Sequence, residues 1–325
     1  MSNLNSVCIV ILNWNGCHDT LECLASLRKA NHASVHVIVV DNASTDGSPK
    51  SIRQEYPDVE LVENKINHGF AGGNNIGIQK AMERGVEFIL LLNNDTIVDV
   101  NFLDELMPFA ARHSSVDIFG PKVLSYQHPD RIWFAGPKRS WIYGRRIEAG
   151  HRGFGDIDSG QYDKAEEVGF ISGCAMLLRR TLVERIGLLD PEYFAYFEDI
   201  DYCLRAKDSG CKLLYVPQAR VWHKAATSSS DGRSYSALTT YLGVRNRLLF
   251  MSKRGGGIGW ILFLPAFCAI LFRTWIVCGC RPGAFHAIAM GVVDFLKGRF
   301  GTGSMARFTG KATSVGRDLS PIVHN

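Results

Sequence analysis

Apolar and polar positions alternate in blocks along the first 120 residues. Val7–Leu12 is a short β-rich apolar run, and Asp19–Ala30 follows it with Leu21, Leu24 and Leu27 at helical spacing. His36–Val40 and Val59–Val62 predict two more strands, ending at Asp41 and near Asn64. Phe88–Leu92 predicts a fourth, ending at Asn93-Asn94-Asp95. Helices are predicted over Asp46–Tyr56, Asn74–Arg84 and Asn101–His113. Strand and helix in turn predict an α/β fold, a parallel sheet covered on both faces. Such sheets bind ligands at the carboxyl ends of their strands. Asn13, Asp41, Asn64 and Asp95 stand at those ends and predict a polar binding rim.

The pattern loosens beyond residue 120. Residues 121–165 are rich in Gly, Trp, Tyr and Arg without a clear period, and predict loops or short strands shaping a second surface. Val168–Arg179 is apolar around small Ser172-Gly173-Cys174. Phe194–Lys207 carries an acidic cluster and then a helix, and Leu213–Val216 and Ala219–Trp222 predict two short strands ending at His223. Ala237–Phe250 predicts a helix. Ile258–Phe272 is an uncharged run of 15 residues containing Gly259 and Pro265, with Arg273 directly after it. A spanning helix needs about 20 apolar residues. The run therefore predicts an interfacial or re-entrant helix pair, with a buried helix or a true span as alternatives.

Composition narrows the class. At 46% apolar and 21% charged residues, the 325-residue chain is neither disordered nor of low complexity. A net charge of +4 is too small to imply a nucleic-acid partner. The charge is uneven: residues 251–325 hold nine Lys or Arg against two Asp or Glu, as suits an anionic membrane surface. The division expected is a body over 1–250, with halves 1–120 and 121–250, and a basic, apolar, helical, membrane-associating tail over 251–325. Nine cysteines without a Cys-x-x-Cys pair predict free thiols rather than a zinc site. The N-terminal pattern is not that of a secretory leader, and a cytoplasmic body is expected.

Three acidic groups could carry chemistry. Asp41, followed by Asn42-Ala43-Ser44-Thr45-Asp46-Gly47-Ser48, suits a ligand's polar edge, while Asp46 suits a helix cap. Asp95, after a buried strand, suits a hard divalent cation that completes its shell with phosphate oxygens and water, although a turn is the simpler reading. Glu198, Asp199 and Asp201 repel one another, which raises at least one pKa and suits a general base; they would equally suit a helix N-terminus. The Gly-rich stretch Asn67–Gly77 opens a helix, where backbone amides can approach phosphate.

Taken in order, Ile11–Asn15, Val40–Ser48, Asn67–Gly77, Leu91–Asp95, Gly169–Arg179, Glu198-Asp199-x-Asp201 and Val221-Trp222-His223 resemble glycosyltransferase family 2. The likeness covers about residues 5–250 and is greatest to the rhamnosyltransferase-like branch that builds bacterial surface polysaccharides. It implies a GT-A fold and inverting transfer from a dTDP- or UDP-linked sugar to a glycan or lipid-linked glycan at the inner membrane surface. Asp41 would contact the nucleotide base, with Asn13, Asn15, Asn42, Gly73, Asn74 and Asn94 lining the nucleotide site. Asn93-Asn94-Asp95 stands where the family has D-x-D, with Asn for the first Asp, so Asp95 and His223 would hold Mg²⁺ or Mn²⁺. Asp199 would be the catalytic base, and Glu198 and Asp201 would bind the acceptor. Arg245 and Arg247 would either stabilise the departing diphosphate or form a basic face above the membrane. The Q-x-x-R-W motif of processive members is absent, since Gln218-Ala219-Arg220-Val221-Trp222 has another order, and non-processive transfer is expected. A sugar nucleotidyltransferase, or an inactive scaffold of the same fold, would be the alternatives.

Overall fold

The computed structural model describes residues 6–30, 35–140, 147–224, 236–255 and 257–308. Its first half is built from strand–helix units: β1 (Val7–Asn13), α1 (Cys17–Ala30), β2 (Val35–Asp41), α2 (Ser48–Glu55), β3 (Glu60–Glu63), α3 (Gly69–Glu83) and β4 (Phe88–Asn93). β1, β2, β3 and β4 pair in parallel. Val7 to Ile11 are buried without exception, because helices cover both faces and leave no polar side to alternate with.

α3 begins at Gly69, five positions before the expected Asn74, so the Gly-rich stretch is helix rather than loop. Its glycines serve close packing. A Cβ on Gly73 would stand 2.4 Å from Leu12 Cδ1, and one on Gly77 would stand 2.2 Å from Val10 Cγ1. Overpacking of this kind typically costs about 1–3 kcal/mol.

The second half completes one mixed sheet. Its elements are β5 (Thr96–Val98), α4 (Phe102–Arg112), β6 (Ile118–Ser125), β7 (Ile132–Phe134), β8 (Pro137–Ser140), β9 (Ile147–His151), β10 (Glu166–Val168), β11 (Ala175–Arg179), α5 (Arg180–Ile186), α6 (Glu198–Asp208) and β12 (Leu213–His223). The strand order is β10-β12-β6-β11-β4-β1-β2-β3, with β5 against β12 and β7 against β6, while β8 and β9 pair separately. β11 lies antiparallel between β4 and β6 and joins the two halves. The two strands expected over 213–222 are one, with a register shift between Val216 and Arg220 where Pro217 interrupts pairing. Lys122 is fully buried on β6 and answered by Asp158, 2.9 Å away, and by Asp163, which pins the loop of residues 156–163 to the sheet.

Three helices close the chain: α7 (Ala237–Arg254), α8 (Gly257–Val277) and α9 (Pro282–Leu296). α8 runs through Pro265 and past Arg273, so the uncharged run is part of a longer helix, and α8 and α9 bear out the helical tail. The expected boundary at residue 250 gives way here. α7 continues to Arg254, and α9 packs along α7 so closely that a Cβ on Gly291 would stand 2.9 Å from the Tyr241 carbonyl oxygen. Asp294 of α9 is buried and accepts the Tyr241 hydroxyl at 2.6 Å and the Ser304 amide at 2.9 Å. α8 seats Phe263 and Phe267 in the core but leaves Ile261, Leu262, Leu264, Phe272, Ile276 and Val277 exposed.

Candidate functional site

The site grows from the carboxyl ends of β1, β2 and β4. Register places Asn13 opposite Asp41, and Leu12 opposite Asn93. The chain turns from β3 back across β1 to β4, so these ends flank a topological switch point, where open α/β sheets bind ligands.

A polar network occupies this rim. Asn13 Nδ2 donates to Asp41 Oδ1 at 2.7 Å and to Ser44 Oγ at 3.1 Å. Asp41 Oδ2 accepts the Ser44 amide at 2.9 Å. Thr20 Oγ1 donates to Asn13 Oδ1 at 2.8 Å, and Asn94 Nδ2 donates to Thr20 Oγ1 at 3.0 Å. Asn15 Oδ1 accepts the Thr45 amide at 2.7 Å. The structure thus brings Asn13, Asn15, Asp41 and Asn94 together. Asp46 serves as a cap, as expected, and does so for two helices: its carboxylate accepts the amides of Cys17 and Ser48, both at 3.0 Å.

Three members of the expected nucleotide set sit where the helix meets the sheet. Asn42 donates to Asn67 Oδ1 at 2.8 Å and to the Gly69 carbonyl at 3.0 Å, and accepts Asn64 and the His68 amide, which uses up its side chain. Asn74 donates back to the Phe70 carbonyl of its own helix at 2.9 Å. A Cβ on Gly73 would meet Leu12 and the Asn42 side-chain amide across the helix–sheet interface.

Across the switch point Asp95 meets His223. β5 pairs with β12 so that Thr96 stands opposite His223, and this brings His223 Nε2 to 3.1 Å from Asp95 Oδ1. Burial pushes the Asp95 carboxyl up, but the His223 ring and a backbone amide outweigh it and hold the group below its ordinary value. His223 Nδ1 is buried without a hydrogen-bond partner. Among the described residues no group of three or more His, Cys, Asp or Glu could hold a metal. One carboxylate and one imidazole on rigid strand ends nevertheless fit a divalent cation that borrows the rest of its shell from diphosphate oxygens and water.

The acidic cluster opens α6. Asp199 Oδ2 accepts the Gly173 amide at 3.0 Å, and Oδ1 accepts its neighbour Ile200's amide at 2.8 Å. Burial raises the Asp199 carboxyl, while these amides oppose the rise. Glu198 is buried, and its Oε2 has no hydrogen-bond partner. Burial, then the charge of Asp199, pushes it well above its ordinary value. Both carboxyls of this pair are thus raised, Glu198 by burial and the charge of Asp199, and Asp199 by burial against its two amide donors.

Asp201 does not join them. Its oxygens take Arg205 Nε at 3.0 Å and Arg254 Nε at 2.7 Å, and it is fully buried away from the cleft. The expectation that Asp201 binds acceptor is corrected: it ties α6 to the end of α7. Arg245 is corrected too. It is fully buried beneath the acidic loop, too far inside to face either a diphosphate or a membrane. Arg247 is also buried, with its guanidinium over the Phe197 ring at 5.6 Å.

A cleft of about 920 Å³, counting its open mouth, runs from Glu198 and Asp199 to His223 and Asn93. Asn93, His223, Gly173, Glu198 and Asp199 line it together with Phe70, Trp133, His151 and Tyr196. Sequence reasoning missed Trp133 and His151, because β7 and β9, which carry them, are too short to show a period. Trp133 lies edge-on between His223 and His151, at ring distances of 4.5 and 4.1 Å. Burial, with His223 nearby, pushes the His151 imidazole down to about 3, so this ring is neutral.

The segment before the cluster is strained. Phe194, Tyr196 and Phe197 have φ of 64°, 71° and 77°. Each costs on the order of 1 kcal/mol or more for a residue with a Cβ. Such strain survives only where surrounding bonds hold it.

A switch-point nucleotide rim beside a carboxylate–imidazole pair, facing buried acids, is the layout of a nucleotide-sugar transferase. The model of glycosyltransferase-like family 2 matches residues 5–240, and the chain belongs to that family. The N-acetylglucosaminyl-diphospho-decaprenol L-rhamnosyltransferase of Mycobacterium tuberculosis is 28% identical over 256 residues, covering 69% of this chain and 79% of its own length. The dTDP-rhamnosyl transferase RfbF of Shigella flexneri is 24% identical, covering 77% and 81%. These relatives bear out the likeness to the rhamnosyltransferase-like branch. GalNAc-T7, solved with UDP, GalNAc and Mn²⁺, superposes with a TM-score of 0.54 at 18% identity over 69% of this chain. The chain spans 44% of that solved chain, and the likeness bears out the GT-A fold.

Proposed function

We propose that this glycosyltransferase moves a sugar, rhamnose by preference, from a dTDP- or UDP-linked donor to a hydroxyl of a lipid-linked or growing glycan, with inversion and without processive elongation. The observation that carries the reading is the pair of acids lining the cleft, with the Asp199 carboxyl oriented by the Gly173 amide. That orientation suits Asp199 to take the acceptor proton. Burial pushes the Glu198 carboxyl well above its ordinary value, which suits it to hydrogen-bond the acceptor oxygen. In a single displacement the base and the leaving group lie on opposite sides of the sugar, and the cleft is lined by both Glu198-Asp199 and His223, the partner of Asp95.

Asp41, Asn13, Asn15 and Asn94 suit the nucleotide. Asp95 and His223 would hold a divalent cation, Mg²⁺ or Mn²⁺, which when bound would neutralise charge on the departing diphosphate. The relatives' printed activities, on a decaprenyl diphosphate-linked sugar and with dTDP-rhamnose, favour a bacterial lipid-linked acceptor at the cytoplasmic face of the membrane. Helix α8, apolar over Gly259–Val277 and only 11% buried there, supports membrane contact. Its core-bound Phe263 and Phe267 favour a helix lying at the surface over one crossing the bilayer.

Calorimetric titration with dTDP, UDP and GDP, with and without Mn²⁺, tests the donor site. Metal-dependent binding of a pyrimidine diphosphate is expected. Failure of the folded protein to bind any of the three would overturn the reading and favour an inactive scaffold.

A further inference from the structure

We propose that Asn246, seated on Arg245, is a positioning residue that holds the acidic loop in its strained, reactive shape. Asn246 is fully buried on α7. Its Nδ2 donates to the carbonyls of Tyr193 at 2.8 Å, Ala195 at 2.7 Å and Tyr196 at 2.9 Å. These carbonyls lie in the same short stretch as the left-handed residues Phe194, Tyr196 and Phe197, directly before Glu198. One amide group thus gathers the strained turn from inside. Asn246 is held in turn: its Oδ1 accepts Arg245 Nε at 3.0 Å and Nη2 at 2.9 Å. Arg245 also donates to the carbonyls of Tyr193 at 3.0 Å and Gly301 at 2.7 Å. Its Nη1 reaches the Tyr241 hydroxyl at 3.4 Å, and through Tyr241 the chain of bonds arrives at Asp294 of α9.

A buried guanidinium met by carbonyls, an amide oxygen and a hydroxyl is an expensive arrangement for packing alone. Its geometry serves the loop. The acids cannot keep their place at the cleft if the turn relaxes toward negative φ, whereas Asn13, Asp41 and Ser44 of the nucleotide rim are held by bonds to one another. Asn246 therefore acts on the acceptor side and leaves the donor side alone. The inference rests on the reading of Asp199 as base.

Asn246→Asp is the test variant. It keeps the size and an oxygen for Arg245, and replaces the amide hydrogens given to the loop with an acceptor oxygen that the three carbonyls repel; Asn246→Ala, which adds no charge, is its companion. The full chain is assayed with dTDP-rhamnose and a short prenyl-diphosphate-linked N-acetylglucosamine, beside Asp199→Asn. Expected are a fall in kcat of at least tenfold, donor KM and dTDP affinity within twofold of wild type, and amide exchange at least tenfold faster over residues 193–199 with β1–β4 unchanged. Wild-type kcat and loop exchange in Asn246→Asp would overturn the proposal, as would loss of dTDP binding and of sheet protection in step with activity. Should this substrate pair give no transfer in wild type, the exchange pattern and dTDP affinity decide by the same criteria. Normal transfer by Asp199→Asn would instead overturn the reading of the base.

Discussion

The amide of Gly173 donates to Asp199 Oδ2 at 3.0 Å, and a Cβ on Gly173 would stand 3.3 Å from Asp199 Cβ. The residue that orients the carboxylate is thus also the one that leaves it room. Gly173→Ala should push Asp199 by a few tenths of an ångström. The expected outcome is a fall in kcat of about tenfold, equal to about 1.4 kcal/mol in the barrier, with dTDP affinity unchanged. Steady-state kinetics beside calorimetry check it.

Glu198 gives a pH signature in stability. Its folded-state pKa is raised well above the ordinary 4.5, so the native state holds the proton more tightly than the unfolded state. Stability from this group is fully present below about pH 4.5 and is lost as pH rises toward the folded value. Glu198→Gln should match wild type in melting temperature near pH 4 and exceed it increasingly toward pH 8. Melting curves across this range that stay parallel would contradict the buried, protonated state.

Asp201 is predicted to matter for stability and not for chemistry. Removing one partner of a buried ion pair typically costs about 3–5 kcal/mol. Asp201→Ala strands Arg205 and Arg254, which are only partly exposed, and should fall near the lower end, about 3 kcal/mol. Urea unfolding reads the loss, while dTDP affinity of the folded protein should hold.

Asp95 and His223 predict the metal response. Asp95→Ala and His223→Ala should each weaken dTDP binding in the presence of Mn²⁺ by at least tenfold and leave metal-free binding within twofold. An unchanged Mn²⁺ effect in both variants would move the cation elsewhere.

Membrane contact is predicted to reside in α8. Ile261 and Leu264 are 70% and 49% exposed, so Asp at both positions should leave melting unchanged. Sedimentation with vesicles of anionic lipid should drop at least tenfold in the double variant, since each buried aliphatic side chain contributes about 1.5–3 kcal/mol.

What could be read in advance follows from how local each signal is. β1 through β4 were legible because each strand and helix declares itself within a dozen residues. The ends Asn13, Asp41 and Asp95 followed from that. β11 was not legible as the joint of the two halves, because its antiparallel partners, β4 and β6, are distant in sequence. Gly73 and Gly77 read as a phosphate loop, since their partners Leu12 and Val10 lie on another element. Asp201 looked equivalent to Asp199 for the same reason: only the fold shows that Arg254 waits for one and Gly173 for the other. Trp133, His151 and Asn246 gave no periodic signal, and their roles come entirely from what surrounds them.

The most direct test of the account is sugar transfer by Asp199→Asn, measured alongside its affinity for dTDP and Mn²⁺. Loss of transfer by at least a thousandfold with nucleotide binding intact is the predicted result. Transfer at the wild-type rate would contradict the assignment of Asp199 as base and, with it, the division of roles in the cleft.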